Sequence, residues 1–153
     1  MQLTQKESSL VKDLLDQEKV CIQKYEFYAE SAKDPELKEL FGKLKKDEQE
    51  HFNSLSELQK GSLPTVPNPR ESMAAGYSPK ATYKSGENTN DKCHDEFLCT
   101  DSISSEKMVS SAYNSDLFQF AATGIRKLLN HIQTEEQEHA EMIYKYKTAN
   151  GMA

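Results

Sequence analysis

Glu48-Gln49-Glu50-His51 returns unchanged 88 residues later as Glu136-Gln137-Glu138-His139. The same shift lays Glu18-Lys19 on Glu106-Lys107, Tyr25 on Tyr113, Leu37 on Ile125 and Leu40 on Leu128. A four-residue identity at the offset shared by five other matches is poorly explained by chance, so the chain reads as two copies of one unit. Whatever one copy folds into, the other should fold into too.

Each copy reads as a pair of helices. Residues from about Ser8 to Lys33 are rich in Leu, Lys, Glu, Gln and Ala, the residues that lose least on entering a helix. Asp34-Pro35-Glu36 supplies an N-cap followed by proline at the first helical position, and a second helix runs from there to about Lys60. Gly61 and Pro64 stop it. From Gly61 to about Asp95 the chain has most of its prolines, several Gly, Ser and Asn, and no apolar periodicity, which predicts a crossover. A third helix is expected over Phe97–Ala121, a break at Thr123-Gly124, and a fourth helix to about Thr148, ended by Asn150-Gly151. In units, hairpin 1 spans about 8–60, the crossover about 61–95 and hairpin 2 about 96–149, in a single domain over 1–153.

An apolar seam can be followed along each helix at alternating steps of four and three. It reads Val11, Leu15, Glu18, Ile22, Tyr25, Ala29, Ala32 in the first helix and Leu37, Phe41, Leu44, Glu48, His51, Leu55, Leu58 in the second. The third gives Cys99, Ile103, Glu106, Ser110, Tyr113, Leu117, Phe120, and the fourth Ile125, Leu129, Ile132, Glu136, His139, Ile143, Tyr146. Every seam is interrupted near its middle by a glutamate, and two carry a histidine one turn on. Glu18 and Glu48 lie at similar distances on either side of the turn near Lys33, and Glu106 and Glu136 do the same around Ala121. Folding each hairpin therefore brings its two carboxylates to one level, roughly 22 Å from the turn at about 1.5 Å per residue.

Four ionised carboxylates in a dry core would each lose hydration worth several kcal/mol. No Lys or Arg occupies the seams to neutralise them. Two divalent cations would, four positive charges against four negative. One Glu from each of two helices plus Glu-x-x-His from each of the other two is the ligand set of di-iron and di-manganese bundles. The expected metal ligands are thus Glu18, Glu48, His51, Glu106, Glu136 and His139, holding two divalent ions, iron or manganese, with zinc also compatible with these donors. The fold expected is all-α, a ferritin-like four-helix bundle of two repeated antiparallel hairpins joined by a long crossover. About 35 crossover residues easily span helices of roughly 40 Å. Tyr25 and Tyr113, two turns after a seam glutamate, are core aromatics or phenols bonded to a ligand carboxylate of a neighbouring helix. Glu50, Glu135, Glu138 and Glu141 fall off the seam and read as surface charge, and His94 and His131 read as exposed.

The remaining composition narrows the partners. A net charge of −6 argues against nucleic acid or an anionic membrane, and no apolar run reaches the length of a membrane span. No apolar signal segment follows Met1, so the expectation is cytoplasmic synthesis, with any surface placement reached by assembly. Hydrophobic residues make up 36%, a modest share that points to helices pairing between chains, as in a homodimer. Cys21, Cys93 and Cys99 form no C-x-x-C pair, which argues against a zinc ribbon or rubredoxin-type iron. Cys21 and Cys99 read as reduced, partly buried thiols. Cys93, in a polar stretch, is open to intermolecular disulfides and, more weakly, to a metal site with His94.

Two families resemble parts of this chain. Asp16-Gln17-Glu18 through Tyr25-Glu26-Phe27-Tyr28-Ala29, with Glu48-Gln49-Glu50-His51, resembles the diiron domain of rubrerythrins. Residues from about Glu96 to Met152 resemble the Coat F family of spore coat proteins, through Glu106-Lys107-Met108-Val109-Ser110-Ser111-Ala112-Tyr113-Asn114, Leu129-Asn130-His131-Ile132-Gln133 and Asn150-Gly151-Met152. The first resemblance implies peroxide reduction, or a related peroxide or ferrous-iron reaction, at two metals held by the six residues named. The chain differs from rubrerythrins in lacking their cysteine-bound electron-donor domain. It also carries Val109 where they have a further glutamate. The second resemblance implies a structural component of the spore's protein shell, made in the mother cell and assembled with other coat proteins. Three readings stay open: a coat protein that keeps a two-metal site, a free-standing redox enzyme, and a metal-free coat protein.

Overall fold

The computed structural model describes residues 1–67 and 73–153. It contains four long α-helices, and there is no strand among the described residues. α1 spans Gln5–Ser31 and starts with a capping box: Thr4 Oγ1 accepts from the Glu7 amide at 3.2 Å while the Glu7 carboxylate accepts from the Thr4 amide at 2.9 Å. α2 spans Pro35–Gln59, capped by Asp34 with proline at its first position, and ends where Gly61 turns to φ 90°. α3 spans Asn90–Asp116, capped by Thr89 and followed by a short 3₁₀ turn at Leu117–Gln119. α4 spans Thr123–Ala149.

The sequence placed the third helix at Phe97–Ala121, and the structure corrects both ends. It begins at Asn90, so the crossover stops at Thr89 rather than Asp95. Its opening turns are anchored by polar groups that carry no apolar period. Lys92 Nζ donates to the Glu87 carbonyl at 2.9 Å, and buried Asp95 accepts from the Lys33 and Asp34 amides at 2.8 and 2.9 Å. Part of the expected crossover, residues 68–72, lies outside the described residues.

The seams of α2 and α4 are buried at every expected position. Those of α1 and α3 keep Val11, Glu18, Tyr25 and Ala32, and Cys99, Glu106, Tyr113, Leu117 and Phe120, buried as expected, but shift by one residue at two positions each. Leu14 and Cys21 are buried where Leu15 and Ile22 were expected, and Ser102 and Val109 where Ile103 and Ser110 were, the expected four being only half-buried. The displacement is the same in both copies, so the repeat extends to which face turns inward.

α1 packs along α2 and α3 along α4, with α1 also touching α3 and α2 touching α4. The Met1 amine donates to the Gly61 carbonyl and Lys6 Nζ donates to Gln119 Oε1, which puts the start of α1 beside the ends of α2 and α3. Tyr146 at the end of α4 donates to Asp34 at the start of α2. α1 and α4 therefore run one way and α2 and α3 the other, and the crossover travels the bundle's length. It leaves past Gly124, where Leu63 sits so close that a Cβ on that glycine would come within 2.5 Å of Leu63 Cδ2. Further on Ala74 is wholly buried, Lys43 Nζ lies 3.6 Å from Met73 Sδ, and Lys145 donates to the Ala74 carbonyl, so this part lies against α2 and α4. Thr82 and Tyr83 donate amides to Asn150 Oδ1 at 2.9 and 3.1 Å, and the Tyr83 hydroxyl reaches Asp95 at 2.6 Å.

Two apolar clusters fill the bundle. One gathers Val11, Leu14, Leu55, Leu58, Tyr113, Ile125 and Leu129; the other Tyr25, Leu37, Phe41, Leu44, Cys99, Ile143 and Tyr146. Between them lies a layer of acids and histidines.

Candidate metal centre

The six residues expected as ligands meet in that layer. Glu18, Glu48, Glu136 and His139 have no exposed surface, and His51 and Glu106 have 3%. Their ligand atoms form two groups, each within 4.8 Å: Glu18, Glu48, His51 and Glu136 in one; Glu48, Glu106, Glu136 and His139 in the other. Glu48 and Glu136 belong to both. Glu48 divides its oxygens, Oε2 lying 3.2 Å from His51 Nδ1 and Oε1 3.1 Å from His139 Nδ1. Glu136 does likewise, with Oε1 2.9 Å from His51 Nδ1 and Oε2 3.8 Å from His139 Nδ1. The His51 contact to Glu136 is short but lacks hydrogen-bond geometry, so both Glu136 oxygens are without a partner. So are Glu18 Oε2 and Glu106 Oε2.

The remaining oxygens of Glu18 and Glu106 are held from the opposite hairpin. Tyr25 on α1 donates to Glu106 Oε1 on α3, and Tyr113 on α3 donates to Glu18 Oε1 on α1. Tyr25 is braced in turn by Phe41, their rings 5.7 Å apart. Each phenol leaves the other carboxylate oxygen free to face the layer.

An acid off the seams meets the outer nitrogen of His139, and another stands near that of His51, which has no hydrogen-bond partner. His139 Nε2 lies 3.1 Å from Asp47 Oδ2, and Asp47 also takes Lys43 Nζ at 2.8 Å. His51 Nε2 lies 3.5 Å from Glu135 Oε2, a long contact, while Glu135 is gripped by His131 at 2.6 Å. Glu135 is therefore not the surface charge expected of it, and His131 is half-buried rather than free in solvent. Asp47 and Glu135 occupy equivalent places in the repeat, each one residue before its Glu-x-x-His. That shared acidity was the signal in the sequence.

Without cations the layer is electrostatically strained. Burial, and then the neighbouring carboxylates, push Glu18 and Glu136 well above the usual carboxyl range. Glu48 is also buried, but its contacts to His139 and His51 outweigh that and hold it well below. Burial works against charge on the histidines, yet the surrounding acids raise both well above 6.5. Stability is typically about 5–15 kcal/mol, so four buried oxygens without partners, at about 1–3 kcal/mol for each unsatisfied group, are a heavy load. Donor chemistry and orphaned oxygens together fit a pair of divalent ions. Glu48 and Glu136 face both positions, and each position adds one Glu and one His.

No further group of such ligands occurs among the described residues. The Cys93 thiol donates to Asn88 Oδ1 at 3.2 Å, while His94 Nε2 lies 3.1 Å from the Ser31 carbonyl at the end of α1. Cys21 and Cys99 are buried free thiols. Burial and then the four glutamates push the Cys21 thiol far up, so it stays protonated beside the layer. No described helix is long and apolar enough to cross a membrane.

No curated protein and no solved structure matches the chain. Residues 94–153 match the family model of the Coat F domain, which takes in Glu106, Glu136 and His139 but leaves Glu18, Glu48 and His51 outside.

Proposed function

We propose that this protein is a spore coat protein on a ferritin-like bundle that binds two divalent metal ions, iron or manganese, in its core. The Coat F match over the second hairpin supports the coat assignment. The carrying observation for metal is the pair of overlapping ligand groups, which share Glu48 and Glu136 and retain four unpartnered buried oxygens. Four carboxylates against two divalent cations leave the core neutral. The ions would supply Lewis-acid and, for iron or manganese, one-electron chemistry. The protein's own residues would position them: Tyr25 and Tyr113 orient Glu106 and Glu18, and Asp47 and Glu135 orient His139 and His51. Self-association or contact with other coat proteins belongs to the same reading.

Elemental analysis of purified protein tests it. Two ions per chain are expected in the wild type, and Glu48→Ala and Glu136→Ala should each disturb both positions. Wild-type protein that takes up no iron, manganese or zinc under any reconstitution leaves a metal-free coat protein instead. Metal binding and turnover are separate matters, because a coat component could hold the ions and still decompose peroxide negligibly.

A further inference from the structure

A cleft of about 430 Å³ opens between α3 and α4. Buried Glu106 and Glu136 of the layer line it together with Ser110, Ser111, Asn114 and Ala140, and Lys107, Gln133 and Gln137 complete its walls. That is far more than the roughly 10–15 Å³ one water requires. Both Glu136 oxygens and Glu106 Oε2 lack partners, although neither residue is more than 3% exposed. The cleft thus joins solvent to unpartnered ligand oxygens through hydroxyl and amide groups.

The repeat shows which residues make the opening. The positions of Ser110, Ser111 and Ala140 are held in the first hairpin by Ile22, Gln23 and Phe52. Ile22 and Phe52 are half-buried, so apolar bulk stands partly inward where the second hairpin has a serine and a methyl group. Gln23 and Glu26 keep side-chain oxygens on the exposed face of the first hairpin, at the places of Ser111 and Asn114, but apolar Ile22 and Phe52 stand further in. In the second hairpin Ser110 and Ala140 leave that inner step open, and Ser110 adds an oxygen there. Lys107 lies at the exposed rim, where its charge is screened.

We infer that the α3–α4 cleft is the entry route by which hydrated divalent cations reach the layer, arriving on the Glu106–His139 side. This inference rests on the proposed metal binding and adds a direction to it: one position faces the route and the other, beside His51, is filled from within.

Stopped-flow absorbance after adding cobalt(II) alone to the metal-free full chain reads the entry rate, and equilibrium titration reads the stoichiometry. Ser110→Ile and Ala140→Phe give the second hairpin the residues of the first. Each should slow cobalt uptake at least about tenfold, since entry then waits on local opening of the helices, and should leave two ions bound at equilibrium. Phe52→Ala, which removes bulk and so cannot overpack, should speed uptake by opening the other side. Circular dichroism identifies any closing variant that fails to fold, and Phe52→Ala then carries the test. Two cobalt ions bound by every folded variant at the wild-type rate overturn the entry route while leaving metal binding intact. A wild type that binds no cobalt overturns both.

Discussion

The two hairpins agree in the groups that meet in the acidic layer and differ in much of what surrounds it. Glu18 and Glu106, Tyr25 and Tyr113, and the two Glu-x-x-His motifs are matched side chain for side chain, and each tyrosine serves the other hairpin's glutamate. The support behind the histidines is less even. Asp47 makes a 3.1 Å hydrogen bond to His139, whereas longer Glu135 stands 3.5 Å from His51 and is held by His131. Cys21 lies where the other copy has Val109, and Ile22 and Phe52 where it has Ser110 and Ala140. Symmetry is kept by the groups that would bind, while the core and surface positions around them vary.

Removing one terminal ligand should break the symmetry most. Glu18→Ala should lose the ion beside His51 and keep the other, and Glu106→Ala should do the reverse, each read as one ion per chain by elemental analysis. Equal loss from both positions in either variant would mean the two groups do not bind independently. Stripping both ions from the wild type should lower the melting temperature by roughly 20 °C, as expected when each ion, at about a thousand times its dissociation constant, contributes about 4 kcal/mol.

Metal removal should also expose a pH dependence. The folded histidines titrate above 6.5, so their contribution is whole below that pH and is lost as pH rises through their folded values. Glu18 and Glu136 are raised above 4.5 and act in the same direction from that pH upward, while depressed Glu48 loses its contribution only in acid. The metal-free protein should therefore melt at progressively lower temperature as pH rises from about 6.5 to 9. Metal affinity should rise over the same range, because ions displace those protons. A metal-free melting temperature that climbs with pH would contradict the arrangement of charges.

Smaller effects separate the supporting groups. Tyr113→Phe should weaken the ion beside His51 and Tyr25→Phe the ion beside His139, each by about 10–100-fold with stoichiometry kept. Asp47→Asn should weaken the His139 position by about tenfold and Glu135→Gln the His51 position by less, in keeping with 3.1 against 3.5 Å. Equal losses would show that Glu135 closes on His51 once metal is bound. Cys21→Val, which copies Val109, should change stability by less than about 1 kcal/mol in chemical denaturation.

How much of this the sequence disclosed varied by helix. In α2 and α4 all seven expected inward positions of each helix are buried, and the apolar neighbours Leu40-Phe41, Leu128-Leu129 and Met142-Ile143 are buried at both members of each pair. In α1 the neighbouring pairs Leu14-Leu15 and Cys21-Ile22 are both apolar, so the row is broad and the buried member of each pair is fixed only by packing. The early turns of α3 were missed because Lys92 and Asp95 are buried through hydrogen bonds, which leave no hydrophobic period. All six expected ligands lie in one layer because a seam glutamate has few ways to avoid the core. Asp47 and Glu135 escaped because their role depends on a histidine from another helix, visible in the sequence only as an acid kept at equivalent places in both copies. The cleft between α3 and α4 had no sequence signal beyond small residues in one copy and large ones in the other.

Crystals grown with manganese(II) and measured at an anomalous wavelength test the central claim most directly. Two peaks are predicted inside the bundle, one bounded by Glu18 and His51, the other by Glu106 and His139, with Glu48 and Glu136 reaching both. Manganese seen only on the surface, or no peak between the two apolar clusters, would contradict a two-metal core.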